Sequence, residues 1–234
     1  MMDTRAIEKI VKEALSLGRK NLLEPEAKAI IGHASIPVAS HRVVKDVVGA
    51  IEAAKEINYP VALKVVSPDI LHKSDAGGVS LNIKDASELE TRWTQMILEL
   101  ADEMPLSAIE GFLVEEMAPP GTEVIIGGIR DAQFGPAVMF GLGGVAVELL
   151  KDVSFRLAPV TKEEAFAMMA EVKSFPLLTG YRGSTYKDLD AIANAIMKVG
   201  EILTEVSSIK ELEINPLVVY ERGAVAVDAR AIIS

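Results

Sequence analysis

Apolar residues recur along the first third of the chain with two different spacings. Residues 3–17 and 45–57 carry apolar positions three and four apart, and each range therefore predicts an amphipathic helix. Residues 61–66, Val-Ala-Leu-Lys-Val-Val, form a short and almost wholly apolar run rich in β-branched side chains, which predicts a buried strand. Residues 79–83 alternate between apolar and polar, as a half-buried strand does.

The rest of the chain continues this mixture of helices and strands. A helix is predicted from Ser87, because Ser87 and Glu90 have the spacing of a capping box. Further helices are predicted at 26–32, 161–172 and 189–206, and further strands at 111–117, 122–130, 136–141, 154–160, 211–220 and 224–230. The strands come in clusters rather than in strict strand–helix alternation, which favours two α+β lobes over a doubly wound sheet. Pro119-Pro120-Gly121 is the predicted hinge between the lobes.

Composition and charge narrow the classes of partner. The chain has 234 residues, half of them apolar, and a net charge of −10. We expect neither nucleic acid nor a membrane as partner, because both require a positively charged surface. The absence of cysteine excludes disulfides, thiolate zinc sites and cysteine nucleophiles. The sequence has neither a signal-peptide pattern nor an apolar run of membrane length, so we predict a cytoplasmic location.

Lys64 and the loop that follows its strand are candidates for phosphate chemistry. A lysine within a buried strand needs an anionic partner, either on a ligand or on the protein, unless it points outward from an edge strand. The loop at 72–78 holds His72, Lys73, Ser74 and two glycines. Such a loop can bind phosphate oxygens, which makes Lys73 and Ser74 candidate nucleotide ligands, and an imidazole can accept a phosphoryl group. A solvated turn is the alternative.

Oxygen-bearing side chains converge near the C-terminus if the last two strands form a hairpin. Glu213 and Asn215 are two residues apart on one strand and therefore share a face. Pairing of the strands around the turn at 221–223 places Asp228 opposite Asn215. Two carboxylates and an amide are hard oxygen ligands that suit Mg²⁺ bound to phosphates. Scattered surface acids are the alternative.

Two more carboxylates mark the ends of strands beside the predicted hinge. Glu115 lies near the end of one strand and Glu123 near the beginning of the next. Carboxylates there can accept hydrogen bonds from an adenine amine and from ribose hydroxyls, although charged strand ends are common. The run Gly141-Leu142-Gly143-Gly144 lacks the third glycine of a dinucleotide fingerprint, so it predicts a tight loop rather than an NAD site. A glycine loop near phosphate stays open.

Four segments of the chain together resemble one enzyme family. They are YPVALKVVSPDILHKSDAGGVSLNI, GFLVEEMAPPGTEVIIGGIRDAQFGPAVMFGLGGVAVELLKDVSFRLAPV, LLTGYRG and ELEINPLVV. The chain resembles the ATP-grasp subunits of ADP-forming acyl-CoA synthetases, above all the separate β subunits of the acetyl-CoA synthetases of this type. It is more distantly similar to succinyl-CoA synthetase β subunits.

The resemblance implies an ATP-grasp fold, in which two α+β lobes clamp a nucleotide. On this basis we predict an N-terminal helical segment at 1–24, an N-terminal lobe at 25–111 and a C-terminal lobe at 112–234.

The resemblance also implies roles for residues around the nucleotide, ADP or ATP. Lys64 corresponds to a lysine on the nucleotide phosphates. Glu115 corresponds to the carboxylate at the base, with the neighbouring backbone at Met117 also in contact, and Glu123 corresponds to the acid at the ribose.

For the reaction itself, the resemblance implies conversion of acyl-CoA, ADP and phosphate into an acid, ATP and CoA. Asn215 and Asp228 correspond to Mg²⁺ ligands, with Glu213 beside them. His72 resembles a histidine that relays the phosphoryl group from a phosphohistidine of a partner subunit, and this histidine favours the acetyl-type branch over the succinyl type.

A partner is expected because the chain has no CoA-binding fingerprint and no room for one. The family pattern implies an α subunit with CoA-binding and ligase domains, in an α₂β₂ assembly. Two other functions are open: an ATP-grasp ligase that joins a carboxylate to an amine through an acyl phosphate, and a subunit that binds nucleotide without transferring phosphate.

Overall fold

The computed structural model describes residues 2–70, 77–103, 105–143 and 151–234. Its helices are α1 (Thr4–Ser16), α2 (Glu24–His33), α3 (Val47–Ile57), α4 (Ala86–Glu103), α5 (Lys162–Glu171) and α6 (Leu189–Glu205). Its strands are β1 (His41–Val44), β2 (Val61–Val66), β3 (Val79–Ile83), β4 (Gly111–Glu116), β5 (Thr122–Asp131), β6 (Gly135–Leu142), β7 (Val153–Leu157), β8 (Ile209–Val219), β9 (Ala224–Ala226) and β10 (Ala229–Ile233). Short 3₁₀ turns occupy Leu106–Ala108, Phe175–Leu178 and Tyr181–Gly183.

The chain divides into two compact units that differ from the predicted domains. The smaller unit is residues 39–119, and the larger unit combines residues 1–38 with 120–234. The second boundary falls between Pro119 and Pro120, within the predicted hinge segment. The boundaries predicted at 24 and 111 do not coincide with these units. Strand β4, which the predicted boundaries place almost wholly in the C-terminal lobe, pairs with β1 and β2 of the smaller unit.

The smaller unit is a four-stranded antiparallel sheet with α3 and α4 packed on it. The strand order is β1-β4-β2-β3, so β4 lies between two strands that precede it in the chain. The inward face of β2 contributes Val61, Leu63 and Val65 to an apolar core shared with α4. The rings of Trp93 and Phe112 meet in this core with their centres 4.1 Å apart and their planes tilted by 44°.

The larger unit is built on a second antiparallel sheet, of order β10-β8-β5-β6-β7, with β9 paired to β8. Alternate residues of these strands face α5 and α6, and they include the buried Ile126, Phe140 and Ile214. Gly128 lets α6 approach closely, since an added Cβ would lie 2.3 Å from Leu203 Cδ1 and 3.0 Å from Val199 Cγ1.

The N-terminal helices belong to the larger unit because their apolar faces complete its core. Ile7 of α1 and Ile30 of α2 are fully buried in the same cluster as the strands of the large sheet. Backbone hydrogen bonds tie this segment to the last strand: Leu22 N–H donates to Ala231 O at 3.0 Å and Ile233 N–H donates to Lys20 O at 2.8 Å. This packing explains why residues 25–38 do not join the smaller unit.

One predicted helix start differs in its cap. The carboxylate of Asp85, rather than the Ser87 hydroxyl, accepts the hydrogen bond from a first-turn N–H, that of Glu88. The Glu88 carboxylate in turn accepts from Lys84 N–H. The helix predicted from residue 161 begins with a capping box, in which the Thr161 hydroxyl accepts from Glu164 N–H and the Glu164 carboxylate accepts from Thr161 N–H.

In the described ranges, every helix falls short of the length and apolar character needed to cross a membrane.

Candidate functional site

In the smaller unit, the structure joins two of the predicted nucleotide residues in one ion pair. Lys64 Nζ lies 2.6 Å from Glu115 Oε2, and the two side chains are 6% and 0% exposed. They share one face of the sheet because β2 and β4 are neighbours, with Ala62 opposite Glu115 and Lys64 opposite Leu113. The buried cation therefore has a carboxylate partner on the protein, one of the two partners that the sequence left open.

The family resemblance implies that Lys64 binds the nucleotide phosphates and that Glu115 binds the base. The ion pair shows that these two side chains do not act separately. The charge of a carboxylate that is buried against a lysine is compensated by the protein itself. Met117 follows β4, and its N–H donates to Pro60 O at 3.4 Å. The Met117 N–H is therefore already hydrogen-bonded within the protein.

In the larger unit, Glu123 and Gly143, the residue that follows β6, lie side by side. The Glu123 side chain is exposed, while its carbonyl accepts a hydrogen bond from Gly143 N–H at 2.8 Å. A Cβ on Gly143 would lie 3.0 Å from Glu123 Cβ and 3.2 Å from its carbonyl, so glycine allows this close approach.

The predicted hairpin places Asn215 opposite Asp228, as expected. Asn215 N–H donates to Asp228 O at 3.2 Å, and the pairing continues with Arg230 opposite Glu213. On the same face, Asn215 Nδ2 donates to Glu213 Oε1 at 3.3 Å. This hydrogen bond turns the amide so that Oδ1, the atom that can bind a cation, points away from Glu213.

Arg230 is a member of this cluster that the sequence analysis missed. Its Nη2 donates to Glu213 Oε2 at 3.3 Å, so Glu213 is held between a guanidinium and an amide. Strand alternation was the available signal, since Arg230 is two residues from Asp228 and therefore on its face. A cavity of about 160 Å³ adjoins the cluster. Its lining includes Gly127, Ile129, Met139, Phe155, Glu213 and Arg230.

The donor set of this face fits a hard divalent cation. Asn215 Oδ1 and the Asp228 carboxylate are oxygen donors of the kind that Mg²⁺ prefers. Glu213 has both oxygens engaged by neighbours, which fits an orienting role better than direct coordination. Across the described ranges, no three His, Cys, Asp or Glu side chains form a cluster that could hold a metal ion. Such a site would therefore use the amide oxygen.

Three predicted residues lie outside the described part of the chain. They are His72, Lys73 and Ser74.

The two sheets and these two sets of side chains define an ATP-grasp protein. Residues 13–233 match the model of the ATP-grasp domain family, which is nearly the whole chain. The predicted fold class is therefore confirmed.

Comparison with individual proteins gives a narrower family. The β subunit of acetate–CoA ligase (ADP-forming) I from Pyrococcus furiosus is 47% identical over 232 residues, which are 99% of this chain and 100% of that subunit. Acetate–CoA ligase (ADP-forming) I of Archaeoglobus fulgidus is 42% identical, and the match covers 97% of this chain but 33% of that longer protein. The chain belongs to the family of β subunits of ADP-forming acetate–CoA ligases.

A solved structure agrees with this assignment. Acetyl-coenzyme A synthetase 1 of Candidatus Korarchaeum cryptofilum superposes with a TM-score of 0.86 at 43% identity, covering 97% of this chain and 100% of that one. That structure contains coenzyme A and Mg-AMPPCP, with a phosphohistidine segment pointing towards its nucleotide-binding site. The predicted family and the predicted enzyme class, a subunit of an ADP-forming ligase, are confirmed.

Proposed function

We propose that this chain is the nucleotide-binding subunit of an enzyme that converts acyl-CoA, ADP and phosphate into a carboxylic acid, ATP and CoA. The observation that carries the proposal is the match to the Pyrococcus β subunit over the full length of both chains. The geometry of the two side-chain clusters supports it, because phosphoryl transfer depends mainly on positioning and on charge neutralisation.

We assign the Lys64–Glu115 pair to the nucleotide as one unit. Lys64 supplies positive charge to the phosphates of ADP, and Glu115 holds the ammonium in place at 2.6 Å. An ammonium fixed by a buried partner needs little reorganisation when an anion binds. Since the Met117 N–H donates to Pro60 O, the Met117 backbone is assigned to the base through its carbonyl, and the exposed Glu123 is assigned to the ribose hydroxyls.

We assign Asn215 Oδ1 and the Asp228 carboxylate to Mg²⁺, with Glu213 beside them. Mg²⁺ held by these residues would offset the negative charge of the nucleotide phosphates in a chain whose net charge is −10. Glu213 fixes the orientation of the Asn215 amide, and Arg230 fixes Glu213.

The phosphoryl group is proposed to arrive from a phosphohistidine of the partner subunit. In the first step its P–N bond breaks and a P–N bond to His72 forms. In the second step a β-phosphate oxygen of ADP takes the phosphoryl group, which leaves His72 free and forms ATP. The phosphohistidine segment that points to the nucleotide site in the Korarchaeum structure supports this route.

The partner is proposed to be an α chain that carries the CoA-binding and ligase domains. The longer Archaeoglobus relative supports this, because two thirds of its length lies outside the matched region. The α₂β₂ stoichiometry and the cytoplasmic location stay predictions.

The proposal is tested by measuring ATP formed from acetyl-CoA, ADP and phosphate. We expect no ATP from this chain alone and ATP once the α chain of the same enzyme is added. His72→Ala should abolish ATP formation, whereas His33→Ala, at an exposed histidine at the end of α2, should leave it unchanged. Full activity of His72→Ala would disprove the relay.

The same assay separates the competing function. A carboxylate–amine ligase would form an amide and release phosphate without any partner. Formation of such a product by the isolated chain would overturn the proposed function.

A further inference from the structure

The loop between α5 and α6 is unusually long and has a defined structure. It runs from residue 172 to residue 188 and contains two 3₁₀ turns. Loops of more than about 12–15 residues are uncommon in compact units, and those with a defined structure often serve a function. LLTGYRG, part of this loop, belongs to the segments that carry the family resemblance, and nothing in the proposed nucleotide chemistry uses it.

The base of the loop is fixed to the larger unit at both ends. The carboxylate of Asp152 accepts hydrogen bonds from Lys173 N–H and Ser174 N–H, each at 2.8 Å, and from the Ser174 hydroxyl at 2.6 Å. Leu178 is fully buried, and its carbonyl accepts from Lys187 N–H at 2.9 Å. These contacts make the tip between residues 179 and 186 a projection on a rigid base.

The tip itself has a strained backbone. Arg182 has φ 52° and ψ 33°, in the left-handed region that a non-glycine residue seldom adopts. Gly180 has φ 88°, and an added Cβ there would lie 2.9 Å from Tyr186 Cε2, so the Tyr186 ring rests against it. Strain of this kind persists where the surrounding structure imposes it, often at functional sites.

The tip exposes the side chains that dominate protein interfaces. Tyr181 and Tyr186 are 50% and 69% exposed, and Leu177 at the edge of the tip is 47% exposed. The guanidinium carbon of Arg182 lies 5.4 Å from the centre of the Tyr181 ring, and the Arg182 side chain is exposed. Tyrosine and arginine on a preorganised support are typical of interface residues that contribute most binding energy.

The charge of the loop indicates what kind of surface it meets. Residues 172–187 contain three basic residues and no acidic one, in a chain whose net charge is −10. The ionised carboxylates of Asp152 and Asp188 lie at the base of the loop, whereas Arg182 is the one charged residue in the sequence of the tip, 179–186. The loop is therefore a locally positive projection, which complements an acidic surface.

We propose that this loop docks the partner α chain of the ligase, with Arg182 and the two tyrosines bound to an acidic surface with an apolar recess on that chain. The inference rests on the proposed function, because it takes its partner from there. Exposed apolar and aromatic side chains outnumber the cations at the tip, which favours a protein surface over a phosphate ligand.

The test measures the affinity of this chain for the α chain of the same enzyme. Arg182→Gly is an informative variant, since glycine adopts the left-handed backbone freely and should keep the fold intact. We expect Arg182→Glu and Arg182→Gly to weaken the complex about tenfold or more, as loss of an interface hot spot does. The control Arg92→Glu, an exposed arginine on α4, should leave the affinity unchanged.

Two further readouts separate docking from other roles. Mg·ADP binding and the melting temperature of the isolated chain should be the same in the wild type and in Arg182→Gly. The affinity of the wild-type complex should fall with ionic strength more steeply than that of Arg182→Glu.

The outcomes are distinguishable from failure of the proposed function. A wild-type complex that Arg182→Glu and Arg182→Gly leave unweakened would overturn the docking surface and leave the function standing. Absence of any complex or ATP formation with the α chain would overturn both. A lowered melting temperature in Arg182→Gly, or dimers of this chain alone that depend on Arg182, would also overturn the proposal.

Discussion

Lys64 Nζ and Glu115 Oε2 lie 2.6 Å apart on adjacent strands, and neither side chain is exposed by more than 6%. A buried pair of this kind contributes little net stability, because both charges have been removed from water. Loss of one member has a large effect, since the other is left buried without its counter-charge. The pair therefore offers a way to separate folding from nucleotide binding.

Replacing Glu115 with glutamine should lower the free energy of unfolding by about 3 kcal/mol, because Lys64 loses its carboxylate. Urea unfolding followed by circular dichroism measures this change. The double variant Lys64→Met, Glu115→Leu replaces both charges with apolar groups of similar size, and its stability should return close to that of the wild type.

The double variant also tests the function of the lysine. Its affinity for ADP, measured by calorimetry, should remain at least tenfold below that of the wild type despite the recovered stability. Recovery of ADP binding together with stability would show that Lys64 serves the fold alone.

Asn215 and Asp228 should set the requirement for Mg²⁺. Asn215→Ala removes one of the two proposed oxygen ligands, and the Mg²⁺ concentration for half-maximal ADP binding should rise by about tenfold or more. Titration of ADP at a series of Mg²⁺ concentrations measures this. Glu211→Gln is the matched control, since Glu211 lies on the same strand and face as Glu213, and its loss should change the Mg²⁺ requirement little.

Glu213 should act on Mg²⁺ through Asn215. Glu213→Gln keeps a side-chain oxygen for the Asn215 amide, whereas Glu213→Ala removes it. We expect the alanine variant to raise the Mg²⁺ requirement more than the glutamine variant does. Equal effects would contradict the orienting role and favour direct coordination by the carboxylate.

Gly128 and Leu203 should be coupled through the contact of β5 with α6. Gly128→Ala places a methyl against Leu203, Val199 and the Ala137 carbonyl, and should lower the free energy of unfolding by about 1–3 kcal/mol. Leu203→Ala alone leaves a cavity and should cost about 2–5 kcal/mol. In the double variant the new methyl fills part of this cavity, so the combined loss should be smaller than the sum. Additive losses would refute the contact.

Asp188 should make the fold sensitive to acid. Hydrogen bonds from Gly223 N–H and Ala191 N–H hold the pKa of its carboxyl below the ordinary value of 3.8. The unfolded chain therefore takes up this proton first as the pH falls. The contribution of Asp188 is complete above the ordinary pKa and is lost as the pH drops through the lower value in the folded state.

The measurement compares the wild type with Asp188→Asn. The wild type should be more stable at pH 6, and its advantage should shrink when unfolding is measured near pH 3. An advantage that stays constant between the two pH values would contradict the linkage.

Local patterns were enough to predict most elements and one part of the site. The turn at 221–223 fixes the register of the strands that flank it, and so it sets Asn215 opposite Asp228. Helix and strand positions followed from periodicity, which depends on near neighbours. The cap at α4 was ambiguous, since Asp85–Glu88 and Ser87–Glu90 have the same spacing and Asp caps as well as Ser.

The pairing of strands that are distant in the sequence could not be predicted from such local patterns. Lys64 and Glu115 meet because β4 inserts between β1 and β2, and no pattern within either strand specifies that order. The apolar face of α2 suits either unit, and its place in the larger one depends on the last strand of the chain. Strand alternation places Arg230 on the face of Asp228, but no pattern within β10 shows that it pairs with Glu213 on β8.

The larger unit takes its pieces from both ends of the chain, and this has a consequence for synthesis on the ribosome. The smaller unit is contiguous, and all its strands have been made once residue 119 is translated. Helices α1 and α2 are synthesised first, but their packing is completed only when β10 has been made, because Leu22 and Lys20 form backbone hydrogen bonds with Ala231 and Ile233. We therefore expect nascent chains stalled shortly before residue 229 to hold a protease-resistant fragment covering 39–119, with the first 38 residues still open to cleavage.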